Sequence, residues 1–436
     1  MSEASAPEFD DGEIFQGIAG CLVGLAVGDA LGTAVEFQSP GAFEELTDMI
    51  GGGAFDLNPG QWTDDTSMAL CLAESLIECG GYNPFDQAER YWTWYDKGHF
   101  GSTGICFDIG GTTVHALTQF NRRGRLSGNP YLGGTSERSA GNGSLMRLAA
   151  VPLVFYRHPQ AAIDVSGDSS RVTHNVRPAI DACRYFAGLL VGCLRGEKDK
   201  EKLLSPYYSP FPDDPDYWQR EENQLVSEIS EIAGGSFARK EPPQIVGAGY
   251  VVKTLEAVLW AFRKTDNFKD GCLLIANLGH DADTTAAIYG QLAGAFYGLD
   301  AIPKTWRDKI TFGSLIELMA GELVSLSKII QVPRLNVEGK PPTSNRDDLA
   351  PTTEAYKEAM RGLQHLEKEM SEIIRKVNKH GRGYQTIEEF DEHVKKMFDS
   401  YEAVMEGPRD ENLVKSFEEM VKVQRRTVEH VTKYRH

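Results

Sequence analysis

The sequence predicts an all-α protein, and three observations carry that prediction. Apolar residues recur at helical spacing through 68–79, 179–194, 246–262, 283–298 and 312–330. Alternating apolar and polar runs of the kind that make half-buried strands are scarce. Small residues step by threes and fours at Gly17, Gly20, Gly24 and Gly28, and again at Gly290, Gly294 and Gly298. That spacing puts them on one helix face and lets two backbones approach closely. The two helices are expected at the centre of the fold, with the glycines serving packing alone.

Taken in order, the chain opens on "MSEASAPEFDDGE", which lacks the basic start and apolar run of a signal peptide. Residues 1–12 are expected to be a disordered acidic N-terminus. The next stretch, "GIAGCLVGLAVGDALGTAV" (17–35), is apolar enough to suggest a membrane span, but it holds Asp29 and has no flanking basic residues. A buried Gly-rich helix is the better reading, and no membrane is expected as a partner. Long Gly/Asn/Ser-rich stretches, "GGGAFDLNPGQ" and "NRRGRLSGNPYLGGTSERSAGNGS", separate the helices that follow. Functional residues often sit on such loops. Residues 195–243 are polar and Pro-studded, and read as an insertion.

A main unit over 13–332 is therefore expected, closed by a Pro-rich polar linker over 333–354. Beyond it, Ala359, Leu363, Leu366, Met370, Ile373 and Val377 step by fours and threes, as do Ile387, Phe390, Val394, Met397, Tyr401 and Val404. Residues 355–436 thus read as a small helical bundle or coiled-coil appendage, whose stripes dock on the core or on a partner and which suits protein interaction or self-association. A chain ending near Asn336 is expected to fold and keep activity on a small substrate.

Composition narrows the function. With 436 residues, 41% hydrophobic and 25% charged, the chain is an ordinary globular protein long enough for several average domains. Its seven cysteines are scattered and form no CxxC pair, which argues against a disulfide framework or a zinc site and for an intracellular, cytoplasmic setting. The net charge is −18; residues 345–436 carry 17 Lys and Arg against 19 Asp and Glu, which leaves −16 on the rest. So acidic a body is a poor non-specific binder of nucleic acid and a reasonable holder of divalent cations.

Two motifs crowd hard oxygen ligands at helix mouths. "QWTDDTSMAL" sets Asp64 and Asp65 between two threonines. Helix capping accounts for one acidic residue there, because its oxygens satisfy orphan N–H groups, but not for two that repel each other. "GHDADTTAAIYG" repeats the design with Asp281, Asp283 and Thr284. In mid-helix Asp281 and Asp283 would point about 200° apart, whereas at a helix mouth they can converge. Carboxylate and hydroxyl oxygens without Cys select Mg²⁺ or Mn²⁺. Six such oxygens suffice for two ions about 4 Å apart.

These motifs, together with "GCLVGLAVGDALGTAVEF", "DIGGTTVHAL", "GNGSLMRLAAVPL", "THNVRPAIDAC" and "GYVVKTLEAVLWAF", resemble the ADP-ribosylglycohydrolase family in order from residue 13 to about 330. The resemblance implies an all-α catalytic domain that uses two divalent cations, Mg²⁺ or Mn²⁺, to cleave the glycosidic bond between ADP-ribose and an acceptor. The acceptor is a protein side chain, arginine favoured, or poly(ADP-ribose), which makes ADP-ribosylated protein or polymer the expected partner. The implied metal ligands are Thr63, Asp64, Asp65, Asp281, Asp283 and Thr284. The implied catalytic residues are Glu36, Asp65 and Asp108, with Glu36 as base, water-orienting residue or gate. Asp108 reads equally as the N-cap of the following helix. Gly141, Asn142, Gly143 and Ser144 form a Gly-rich turn able to offer N–H groups to a diphosphate. They are the implied ADP-ribose contacts, with Asp108, His174 and Tyr250. Tyr250 would stack on adenine or pack in the core. Two alternatives stand beside this reading: a non-catalytic, crystallin-like relative and a dimetal nucleotide phosphohydrolase.

Overall fold

The computed structural model describes residues 10–333, 352–378, 384, 386–405, 407 and 409–433. The expected disorder of residues 1–9, and most of the expected linker, lie outside them. Among the described residues there is no β-strand, only three isolated bridges between loops.

The first long helix, α1 (Asp11–Gly32), is buried along nearly its whole length and begins earlier than the composition of its first turn suggests. Asp10 caps it, its carboxylate accepting the N–H groups of Gly12 and Glu13 at 2.9 and 3.1 Å. Residues 11 and 12 are therefore helical, not part of a disordered tail. In the membrane-length stretch Asp11–Val35, 94% of its apolar 18-residue window is buried inside the protein.

Next come α2 (Asp64–Cys79), α3 (Pro84–Lys97), α4 (Gly111–Gln119), α5 (Arg177–Leu194) and α6 (Val251–Lys264), then α7 (Ala282–Tyr297) and α8 (Gly313–Ser327), with further helices between. The glycine stripe decides the centre. A Cβ at Gly20 would collide with the carbonyl of Gly294, at Gly24 with that of Gly290, at Gly28 with Ala286 and at Gly32 with Ala282. The partners fall as α1 rises, so α1 and α7 run antiparallel at backbone contact. Side chains larger than hydrogen would force them apart.

The 195–243 segment is anchored more firmly than a polar insertion suggests. Leu203, Tyr217, Trp218, Ile229, Ile232 and Phe237 are buried, and Trp218 packs edge-on against Tyr185 of α5 with ring centres 5.7 Å apart. These anchors are too widely spaced among prolines to register as a periodic pattern.

The C-terminal helices α9 (Glu354–Val377), α10 (Ile387–Val404) and α11 (Glu411–Lys433) do not stand apart. Their stripes turn inward: Leu363, Leu366, Met370, Ile373, Phe390, Met397 and Tyr401 are all at most 1% exposed. Val404, the last residue of the second stripe, is 37% exposed. Phe417 of α11 packs on Phe312 at 5.8 Å, Ser416 Oγ accepts the Phe312 N–H at 3.1 Å, and Thr353 N–H donates to Glu322 of α8 at 3.0 Å. Of the two expected placements, the stripes take the one on the core, which covers the face that self-association would use.

Candidate metal centre and active site

Antiparallel packing of α1 and α7 fixes where the site forms. It brings the C-terminal end of α1, and the 3-10 turn Thr33–Val35 that leads to Glu36, against the N-terminus of α7 with Asp281, Asp283 and Thr284. Asp29 then recruits α2. Its carboxylate accepts the N–H groups of Thr63 and Thr66 at 2.9 and 3.0 Å and the Thr66 hydroxyl at 2.6 Å. The N-cap residue Thr63 supplies no cap bond of its own, so α2 is capped from α1. Two helix N-termini converge here, and both favour anions.

The oxygens form one network. Thr63 Oγ1 lies 2.9 Å from Asp29 Oδ1 and 3.2 Å from both Asp65 Oδ2 and Asp283 Oδ2. Thr284 Oγ1 lies 3.3 Å from Asp65 Oδ2. A hydroxyl carries one hydrogen, so Thr63 cannot satisfy three carboxylates at once. Oxygens of Asp29, Asp65 and Asp283 lie within 4.8 Å of one another, and Glu36, Asp281 and Asp283 form a second such group. Asp283 belongs to both. Asp65 Oδ1, Asp283 Oδ1 and Glu36 Oε2 are buried without any hydrogen-bond partner.

Burial, reinforced by neighbouring carboxylates, pushes Asp64, Asp65 and Asp283 well above the ordinary carboxylate range. For the same two reasons Glu36 rises to about 10 and Asp108 to about 7. A cluster this costly needs protons or cations to neutralise it. The donors are all carboxylate and hydroxyl oxygens, the set that hard divalent ions prefer, so the residues present fit a two-ion site.

Backbone strain frames the cluster. Phe37, Asp108 and His280 have φ of 62°, 55° and 57°, a region that L-residues occupy at a cost of about 1–3 kcal/mol each. Phe37 and His280 hold each other in it: Phe37 N–H donates to His280 O at 2.6 Å, and His280 N–H donates to Gln38 O at 2.7 Å. This pair ties the Glu36 loop to the Asp281 loop. Asp108 lies beside Glu36, Asp64 and Asp283, and its charge helps push each of them up. Gly110, not Asp108, is the N-cap of α4, which removes the capping alternative.

All six expected ligands, with Glu36 and Asp108, are thus brought to one place. Asp29 was missed. The signal was present, a single carboxylate in an otherwise apolar, fully buried helix, but its partners lie 34 and 37 residues away.

The Gly-rich turn lies beside the cluster. Asn142 donates to Asp281 Oδ2 at 2.6 Å and to Thr254 Oγ1 at 3.1 Å. Its own N–H bonds Gly249 O, and the Val251 N–H bonds Ala140 O, both at 3.0 Å, which clamps the turn to the start of α6. Tyr250 is 40% exposed next to it, an open aromatic face and not a core residue. His174 is buried under the turn, its Nδ1 2.8 Å from Thr173 Oγ1, and a Cβ on Gly143 would lie 2.8 Å from its Cε1. Burial and the Arg147 charge lower His174 to about 3, so its imidazole is neutral. The Ser144 hydroxyl points inward, accepting from Ser170 Oγ at 2.8 Å. A recess of about 550 Å³, lined by Phe37, residues 246–249, His280 and Asp281, opens onto the cluster. It suits a ligand the size of a nucleotide.

An all-helical scaffold here converges two acidic helix mouths beside a Gly-rich turn, a set of hard oxygens able to hold divalent cations. Comparison with known proteins names the family. The ADP-ribosylglycohydrolase family profile matches residues 11–331. The chain is 40% identical to an ADP-ribosylarginine hydrolase, Tri1, of Serratia proteamaculans (strain 568), across 70% of this chain and 78% of that protein. It is 33% identical to an ADP-ribosyl-[dinitrogen reductase] glycohydrolase of Rhodospirillum rubrum, across 67% and 89%. A solved structure, an ADP-ribosylglycohydrolase-related protein complex, superposes with a TM-score of 0.62 at 40% identity, over 72% of this chain and 99% of that one. The chain belongs to the ADP-ribosylglycohydrolase family, and it is an enzyme that hydrolyses the glycosidic bond joining ADP-ribose to an acceptor.

Proposed function

We propose that this enzyme removes ADP-ribose from arginine side chains of proteins, using two Mg²⁺ or Mn²⁺ ions held by Thr63, Asp64, Asp65, Asp281, Asp283 and Thr284, with Asp29 beside them. The observation that carries the acceptor is the 40% identity to an ADP-ribosylarginine hydrolase over 70% of the chain. When bound, the ions supply Lewis acidity, which lowers the pKa of water and grips vicinal hydroxyls. The protein groups do the rest. The 140–144 turn and Tyr250 hold the diphosphate and adenine. Glu36 orients and deprotonates the attacking water, and Asp108 faces the departing nitrogen. The cleavage passes through an oxocarbenium-like centre, for which this ring of carboxylates is suited.

A further feature suits an arginine acceptor. Phe37, Phe55 and Phe107 stand edge to face in a row, with ring centres 6.2 and 5.1 Å apart, and its two ends adjoin Glu36 and Asp108. Aromatic faces bind planar guanidinium groups. Phe55→Leu is expected to raise KM for an ADP-ribosyl-arginine peptide several-fold and to leave ADP-ribose affinity unchanged.

The decisive test is a panel of peptides ADP-ribosylated on arginine or serine, plus poly(ADP-ribose), each assayed with Mg²⁺, with Mn²⁺ and in EDTA. Release of free ADP-ribose from the arginine peptide, abolished by EDTA and restored by either ion, is expected. Preference for serine or polymer would sink the acceptor assignment. Full activity after exhaustive chelation would sink the ions.

A further inference from the structure

We propose that the C-terminal helices set the position of the loop that presents Asp108, and that Glu367 of α9 is a positioning residue for catalysis. The loop leaves α3 after Lys97 and reaches α4 at Gly111, passing Phe107 and Asp108. Glu367 grips its near end twice. Oε1 accepts the Phe100 N–H at 2.9 Å, and Oε2 lies 2.8 Å from His99 Nδ1. His99 carries the contact on to α2, its Nε2 lying 2.9 Å from Glu74 Oε2, and Arg90 of α3 pairs with the same oxygen at 2.5 Å. Burial disfavours a charge on His99, but Glu367 and Glu74 outweigh it and hold the imidazole at about 10. At neutral pH both ring nitrogens therefore donate.

What this grip fixes is a strained backbone. Phe100 is fully buried with φ of 56°, a conformation a phenylalanine keeps only when its surroundings impose it. Trp62 Nε1 donates to the Phe100 carbonyl at 3.2 Å and Ser102 Oγ donates to Trp62 O at 2.5 Å, so the loop is stitched to the residue preceding Thr63. Midway, a Cβ at Gly104 would lie 3.4 Å from both Ile374 Cδ1 and Met420 Sδ. One side of the loop therefore rests on α9 and α11, while its far end places Asp108 against Glu36 and Asp283. The family profile ends at residue 331, before these helices begin. The support they give the loop belongs to this chain's extension and not to the matched domain.

The inference rests on the placement of Asp108 in the active site, and the test separates the two. Full-length wild type, Asp108→Asn, Glu367→Ala, Glu367→Gln and Glu367→Asp are compared on one ADP-ribosylated substrate. A shift of about 1 Å in a catalytic group costs up to about 10²-fold, so Glu367→Ala is expected to lower kcat ten- to a hundredfold. Metal content and ADP-ribose affinity should stay at wild-type values. Amide exchange should quicken in 98–110 but not in α7. Glu367→Gln, which keeps an acceptor for the Phe100 N–H, should recover most of the turnover. Glu367→Asp, too short to reach both partners, should lose several-fold. A Glu367→Ala protein that melts lower but turns over like wild type would overturn the proposal, as would a kcat loss that tracks loss of metal. If the alanine variant does not fold, wild-type turnover in Glu367→Asp overturns it. Wild-type turnover in Asp108→Asn removes the premise and the proposal with it.

Discussion

Glu36→Gln is expected to retain its metals and its affinity for ADP-ribose while turnover falls by about 10²–10⁴, the range for loss of a general base. Asp283→Ala is expected to lose metal, ADP-ribose affinity and turnover together. The contrast follows from position. Asp283 belongs to both carboxylate groups, so its removal breaks both. Glu36 belongs only to the second group, at the end of the turn that leads from α1 to Phe37, with one oxygen left unpartnered. The amide keeps the shape of the carboxylate and removes only its basicity. Metal analysis and calorimetry with ADP-ribose, run on both variants beside the kinetics, read the two roles separately. Loss of metals from Glu36→Gln, or two ions retained in Asp283→Ala, would show the assignment to be reversed or wrong.

Much of this site was legible because its elements are local. Asp64 with Asp65, and Asp281 with Asp283, each announce a helix mouth within a few residues, and the glycine steps of α1 and α7 announce that the mouths belong to touching helices. The long-range part was not legible. Asp29 is one acidic residue among apolar ones, and only the fold reveals that it caps α2. The stripe of α9 marks an apolar face, but amphipathicity shows only that a face is buried, not what buries it. Glu367 carried no signal at all: an acidic residue on a charged helix reads as solvated until His99 and Phe100 are seen beneath it.

Ending the chain at Val332 is accordingly expected to yield protein that is insoluble or melts far below the full-length enzyme, against the sequence's suggestion of a self-sufficient core. The argument is one of area. Met370, Ile374, Phe417 and Met420 press on Gly104 or Phe312 of the catalytic unit. Removing them exposes the apolar surface of the catalytic unit that they cover, at a cost of about 25 cal/mol for each Å² uncovered. A typical domain has only about 5–15 kcal/mol in total. The truncation also uncovers the Phe312 ring and leaves the Phe100 N–H without Glu367, so what remains soluble should have a mobile 98–110 loop. Yield, thermal melting and ADP-ribose release by the truncated chain measure this directly. A soluble Val332-terminated protein that melts within a few degrees of wild type and keeps its turnover would show that the catalytic domain is complete without α9, α10 and α11, and would remove the structural basis for assigning them a part in catalysis.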